Sequence, residues 1–317
     1  MGFSLISKNN TLLIVFAFII LYAFFFMIID FGNFSYQLSN INFVYVIPIL
    51  ILGVVAMVIR AIRQKLFFDS LDLKMSIKKN IIIYFSGLSM TTTPGGLGQS
   101  IKSYFLKNKY NHPYTKTLTV TLIERYYELL GAVSLIAIVL LLRESFEGIL
   151  VVSILFPILL LVLAIAKNKR LFLKMISIIP KKGVLKKIEA NHVEFFKNIQ
   201  ILTNKRTFFL GWGLGFVSWL FIAFAFYLSF LAFDLPHSFL DSTIINFVPG
   251  IIGVMSLLPG GIGLTEFGML GLLLKSGIDI SVSSALILFI RFTTMWTYTI
   301  IGIIFSQYFI RTKDTNS

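Results

Sequence analysis

Cysteine is absent from this chain, which excludes disulfides, thiol nucleophiles and cysteine-ligated metal sites. Acid is scarce: 14 Asp and Glu stand against 28 Lys and Arg, for a formal net charge of +14. The three histidines, His112, His192 and His237, fall in expected loops. No HExxH, carboxylate–histidine cluster or Walker-type phosphate loop occurs, so neither a zinc hydrolase nor an ATP-driven pump is encoded, and neither metal nor organic cofactor is expected. Strand-like alternation is also missing, which argues against a transmembrane barrel.

What the chain has in abundance is apolar sequence. Hydrophobic residues make up 57% of it and charged residues 13%, with a mean hydropathy of +0.88. A soluble core cannot bury so much, and the expected fold class is an all-α polytopic membrane protein. Runs such as Leu12 to Phe31 and Phe208 to Phe233 reach the roughly 20 residues a helix needs to cross the hydrocarbon layer. The first is too long for a signal-peptide core and is followed by further spans, so it is expected to remain in the mature chain. In a soluble protein the basic excess would suggest a nucleic-acid partner; here it marks the cytoplasmic side, and no nucleic acid is expected.

Charge then threads the chain. No Lys or Arg lies between the first run and a second at Phe43 to Ile62, whereas Arg60, Arg63, Lys65, Lys74, Lys78 and Lys79 cluster at and beyond its end. The first loop is therefore placed outside and both termini in the cytoplasm. Ile81 to Met90 is only ten residues long before TTTPGG, and Ser100 to Leu106 leads to Lys107, Lys109 and Lys116. Short arms with basic sequence at both ends predict a hairpin entered from the cytoplasm over residues 81–106. Thr117 to Leu142 runs outward and Ile149 to Ala166 returns to Lys167–Arg206, which holds eleven Lys and Arg against two Glu. Leu171, Phe172, Met175, Ile176 and Ile179 recur there at helical spacing, predicting an amphipathic helix on the cytoplasmic surface. Phe208 to Phe233 goes out, residues 243–274 flank a second Pro-Gly-Gly, and Ser281 to Ile310 returns.

The expectation is a single membrane domain over 1–317, with six full spans and two re-entrant hairpins. The order span, span, hairpin, span over 12–142 recurs over 149–310. Pro94 precedes Arg125 by 31 residues and Pro259 precedes Arg291 by 32, the spacing of an inverted repeat whose broken helices meet near the midplane. For the longer second hairpin, two complete spans remain an alternative. Proline removes a backbone donor and glycine lets the chain turn, so each PGGxG ends one short helix and starts another. Non-helical backbone at that depth is tolerated where it is buried in protein or lines a wet cavity.

Ions accompany the breaks. Glu124, Arg125 and Glu128 lie in the third span, Arg291 in the sixth, Gln99 and Lys102 after the first break, and Glu266 after the second. Each charge at a span's centre costs about 2.5–3.5 kcal/mol unless it is paired or wet. Arg125 and Glu128, three residues apart, can satisfy each other. Glu124 then needs another cation or a proton, and Lys102 and Arg291 are the candidates. Glu266, three residues after Gly263, suits a helix N-terminus as a cap, and equally suits proton carriage or an amine contact.

TTTPGGLGQSIKSYFLK with ERYYELLG, and SLLPGGIGLTEFG with the Arg291 helix, resemble the lysylphosphatidylglycerol synthase transmembrane region, also called the flippase-like integral membrane domain, along the whole chain. Gln99 stands where that family often has Glu, Lys102 where Arg is usual and Glu128 where Asp is common. The resemblance implies binding or movement of polar lipid headgroups, such as aminoacylated phospholipids or lipid-linked sugars, across the plasma membrane. It does not imply aminoacyl transfer, because multidomain members carry that activity in a separate soluble domain, and nothing after Arg311 is long enough to be one. The expected protein is therefore a translocator and not an enzyme. Its candidate headgroup-binding residues are Gly95, Gly96, Gly98, Gln99, Lys102, Arg125, Gly260, Gly261, Gly263, Glu266 and Arg291. Glu124, Glu128 and Glu266 are candidate proton carriers, membrane lipids are the expected partners, and a homo-oligomer is compatible with the sequence. A transporter of a small soluble anion and a membrane-embedded enzyme acting on a lipid phosphate are the competing readings.

Overall fold

The computed structural model describes residues 31–93, 98–144, 146–178, 191–256 and 258–312. The expected first span therefore lies almost wholly outside the described residues, as do Pro94 to Leu97 and residues 179–190. Among the described residues the regular structure is helical, without β-strands. Four segments among the described residues are long and apolar enough to cross a bilayer: Phe43–Ser70, Tyr114–Leu142, Lys205–Ala232 and Ile280–Arg311.

Helix α1 (Phe31–Ser39) leads through a 3-10 turn at Phe43–Tyr45 into α2 (Val46–Ser70). Two stripes define α2. Ile47, Ile51, Val54 and Ile62 are exposed, while Ile49, Gly53, Ala56, Met57 and Phe67 are buried. The exposed stripe is apolar, as expected of a surface that meets lipid. This helix corrects the expected end of the second span at Ile62. Arg60, Arg63 and Lys65 do not follow the span; they lie within the helix, and Arg63 is 0% exposed. Charge interrupted the apolar run, yet Leu66, Phe67 and Phe68 resume it on the buried face.

Two short helices follow, α3 (Ile77–Gly87) and α4 (Ile101–Tyr110). Ser76 caps α3 by accepting from the Lys79 N–H, and Asn111 ends α4 in the left-handed region at φ 50°. Their 11 and 10 residues span about 16 and 15 Å, half the roughly 30 Å hydrocarbon thickness. The start of α3 and the end of α4 lie together, with Lys79 Nζ 4.9 Å from the centre of the Tyr110 ring.

Helices α5 (Tyr114–Leu142) and α6 (Phe146–Lys167) precede α7 (Lys169–Ile178) and α8 (His192–Leu202). Of the residues expected to form an amphipathic helix, Leu171, Phe172, Met175 and Ile176 lie in α7 and Ile179 lies outside the described residues; Leu171 is exposed, whereas Phe172 is buried, with its ring stacked on Phe195 of α8. Helix α9 (Lys205–Ala232) is capped by Asn204 and crosses α5 at glycines. A Cβ on Gly131 would stand 2.8 Å from the Gly215 carbonyl carbon, so these backbones touch. Helices α10 (Phe239–Met255) and α11 (Leu264–Lys275) flank the second Pro-Gly-Gly. The last span consists of α12 (Ile280–Arg291), a π-helical turn at Phe292–Trp296 and α13 (Thr297–Arg311).

Contacts between helix ends sort the molecule into two ends. At one, Lys116 Nζ donates to Leu71 O at 2.8 Å and Lys109 Nζ to Phe309 O at 2.9 Å. At the other, Asn42 N donates to Ala232 O at 2.9 Å and Arg143 pairs with Asp241 at 3.0 Å. Lys79, Lys109 and Lys116 thus gather at the first end, with Asp69 and Asp72 beside Leu71, while the second end carries Arg143 and Asp241.

Candidate functional site: ion clusters at two helix breaks

Helix α5 brings Glu124, Arg125 and Glu128 to its inner face. Arg125 grips Glu128 with both terminal nitrogens, Nη2 to Oε1 at 2.8 Å and Nη1 to Oε2 at 2.7 Å, the fork geometry that suits a carboxylate. The local pairing expected from their spacing is thus present. Glu128 also receives Arg63 Nη2 of α2 at 2.9 Å. The same residue's main-chain carbonyl accepts from the Trp219 indole N–H of α9 at 2.7 Å, which joins three helices at one position.

Glu124 is 0% exposed and takes Lys102 Nζ on Oε2 at 2.5 Å. Lys102 is therefore the second cation that Glu124 requires. Lys102 donates further to Gln64 Oε1 at 2.7 Å, Gln64 donates to Asn80 Oδ1 at 3.0 Å, and Asn80 donates to Ala61 O at 2.8 Å. This chain of polar groups ties α4 through α2 to α3 and spares each member an unpaired burial. Gly87 makes room for it: a Cβ there would lie 2.7 Å from the Lys102 stem.

The described residues on either side of the first break are tied to one another and to α5. Thr93 Oγ1 accepts from Gly98 N at 2.7 Å, Gln99 Nε2 donates to Thr91 Oγ1 at 3.3 Å, and Gln99 Oε1 accepts from Arg125 Nη2 at 2.9 Å. Gln99 thus anchors the break to α5 without ionising. Gly95 and Gly96 lie outside the described residues.

At the second break, Leu258 is extended ahead of Pro259, and Gly260, Gly261 and Gly263 take φ of 63°, 65° and 89°, values that disfavour any side chain. Glu266 Oε2 accepts from Gly263 N at 2.8 Å, so the expected cap exists. Arg291 Nη2 donates to Gly260 O at 2.8 Å, and its Nε lies 2.7 Å from Glu266 Oε1. This corrects the alternative assignment of Arg291 to Glu124: the cation is taken by the carboxylate of its own half. One charge here neutralises another while a free carbonyl of the broken backbone is satisfied.

Among the described residues, no hydrogen bond or ion pair links the two clusters. Sequence reasoning found Glu124, Arg125, Glu128, Lys102, Glu266 and Arg291 but missed Arg60, Arg63, Gln64 and Asn80. The available signal was the continuation of apolar sequence beyond Arg63, which keeps the charges inside the helix.

Several long apolar helices make this a multi-pass membrane protein, and two buried ion clusters lie within its helix packing. The chain belongs to the family of the lysylphosphatidylglycerol synthase transmembrane region, whose profile matches residues 11–302. A UPF0104 membrane protein of Methanothermobacter thermautotrophicus is 35% identical over 94 residues, 30% of this chain and 28% of that protein. A UPF0104 membrane protein of Methanocaldococcus jannaschii is 26% identical over 220 residues, 67% of this chain and 89% of that protein. The match to the first therefore spans less than a third of its length.

Proposed function

We propose that this protein binds a polar, phosphate-bearing lipid headgroup between its two helix breaks and moves it across the membrane while the acyl chains stay in lipid. The observation that carries this reading is the pairing of each break with an intramembrane arginine, Arg125 on Gln99 and Arg291 on Gly260 O. Membership of a family named for a lipid synthase's membrane region supports the same substrate class. In this reading α3–α4 and α10–α11 are re-entrant hairpins, entered from opposite faces, within an inverted repeat that completes six spans. The lysine-rich end faces the cytoplasm of a plasma membrane. Alternate opening about the repeat axis carries the headgroup over. No nucleotide drives it, so movement is downhill or ion-coupled. Coupling through Glu124, Glu128 or Glu266 requires a carboxylate to exchange its cation for a proton.

Reconstitution into liposomes carrying fluorescent phosphatidylglycerol, with dithionite quenching of the outer leaflet, tests the proposal. Wild-type protein scrambles the label, and the variant with Arg125→Ala and Arg291→Ala together does not. Equal scrambling by both overturns the site; uptake of a soluble anion with no lipid movement overturns the substrate class.

A further inference from the structure

The first ion cluster is not electroneutral. Arg60, Arg63, Lys102 and Arg125 stand together against Glu124 and Glu128. Three of those cations have a carboxylate within ion-pair distance; Arg60 has none among the described residues. It lies inside α2, ten residues or about 15 Å of helix before the end at Ser70.

Its guanidinium is nevertheless held in place. Arg60 Nε donates to Ser218 Oγ at 3.2 Å and its Cζ lies 4.4 Å from the centre of the Trp219 ring. Both partners belong to α9, so hydroxyl and indole fix the plane of the charge. Nη2 then has no hydrogen-bond partner among the described residues. Arg63, 0% exposed one turn further on, likewise leaves Nε and Nη1 without partners. Unanswered donors of two cations one turn apart are costly unless an anion answers them.

Helix α2 also packs on the last span: a Cβ on Gly53 would stand 2.8 Å from the Tyr298 hydroxyl. Tyr298 follows Arg291 by seven residues on the last span.

We propose that Arg60, oriented by Ser218 and Trp219, is the principal anion-binding residue of this protein, and that it takes the phosphate of a membrane lipid headgroup with Arg63 behind it. This rests on the headgroup reading above and relocates its phosphate subsite from the hairpin tips to the α2–α9 interface. Glu266 and Arg291, mutually neutralised, are left to the uncharged or cationic remainder of the headgroup.

Native mass spectrometry and a binding titration on purified full-length protein in neutral detergent test the assignment, with dioleoylphosphatidylglycerol, dioleoylphosphatidylcholine and inorganic phosphate as probes. Wild-type protein is expected to retain phosphatidylglycerol in preference to phosphatidylcholine. Arg60→Gln is expected to weaken phosphatidylglycerol at least tenfold, with Ser218→Ala intermediate. Each variant's melting temperature is recorded, and Arg60→Lys separates a lost charge from a lost shape: it keeps part of the affinity if Arg60 meets phosphate. Phosphatidylglycerol binding unchanged in Arg60→Gln but lost in the Arg125 and Arg291 double variant overturns the assignment while leaving the headgroup reading intact. Inorganic phosphate held as tightly as the lipid, and lost in Arg60→Gln, supports Arg60 as the anion residue but overturns the lipid as its source, and the headgroup reading with it. Binding of none of the three probes overturns both.

Discussion

Replacing Lys102 with Met preserves the side-chain stem and deletes its ammonium, and the consequence falls on Glu124. That carboxylate is 0% exposed, its Oε2 holds Lys102 at 2.5 Å, and its Oε1 has no hydrogen-bond partner among the described residues. Without Lys102 it is a buried anion with no hydrogen-bond donor, a change that costs about 3–5 kcal/mol. Glu124→Leu strands the ammonium with Gln64 Oε1, 2.7 Å away, as its remaining acceptor, and a loss of similar size is expected. Independent costs would sum to roughly 6–10 kcal/mol. Yet the double variant is neutral, apolar and similar in volume. It leaves only Gln64 short of one donor, and it is expected within about 2 kcal/mol of wild type. Equilibrium unfolding by SDS in mixed micelles, followed by far-ultraviolet circular dichroism, measures all four corners of this cycle. Costs that add to within about 0.5 kcal/mol would refute the view that the pair is a unit whose halves are tolerable only together.

Three further outcomes follow from close contacts and the second cluster. Gly302→Ala places a Cβ 2.1 Å from Ser89 N and 2.4 Å from Leu88 C; backbone cannot step aside as a side-chain tip does, so about 2 kcal/mol or more is lost in the same unfolding assay. Gly213→Ala, where a Cβ meets nothing within 4 Å, is the control and is expected to be neutral or up to about 1 kcal/mol stabilising. Arg291→Gln releases the Gly260 carbonyl and deprives Glu266 of its cation. Amide hydrogen exchange across residues 258–266 should then rise about tenfold, while exchange around Lys102 stays unchanged, because among the described residues no polar contact joins the two clusters.

The outline of this protein was legible in one dimension because the bilayer simplifies the problem. Every backbone group at depth must be satisfied within its own helix, so apolar length reports a span and Pro-Gly-Gly reports a break. The Gly260–Gly263 turn behaves as those residues dictate. Local spacing was equally reliable: Arg125 and Glu128 pair three residues apart, and Glu266 caps the helix that begins beyond Gly263. The end of α2 was misplaced for a reason specific to membranes. A charge normally signals water, and only the buried Glu128 on another helix lets Arg63 stay inside.

Residue order alone thus set which segments are apolar, where helices break, which end gathers lysine and which carboxylates outnumber their local cations, since each depends on composition and short-range spacing. The choice of partners needed three dimensions. Lys102 reaches Glu124, Arg291 turns to Glu266, and Arg60 rests on Trp219 because helices distant in sequence cross at particular heights and rotations. Those heights come from interlocking side chains and from glycine contacts such as Gly131 with Gly215. Such packing is a property of pairs of surfaces, and no single stretch of sequence carries it.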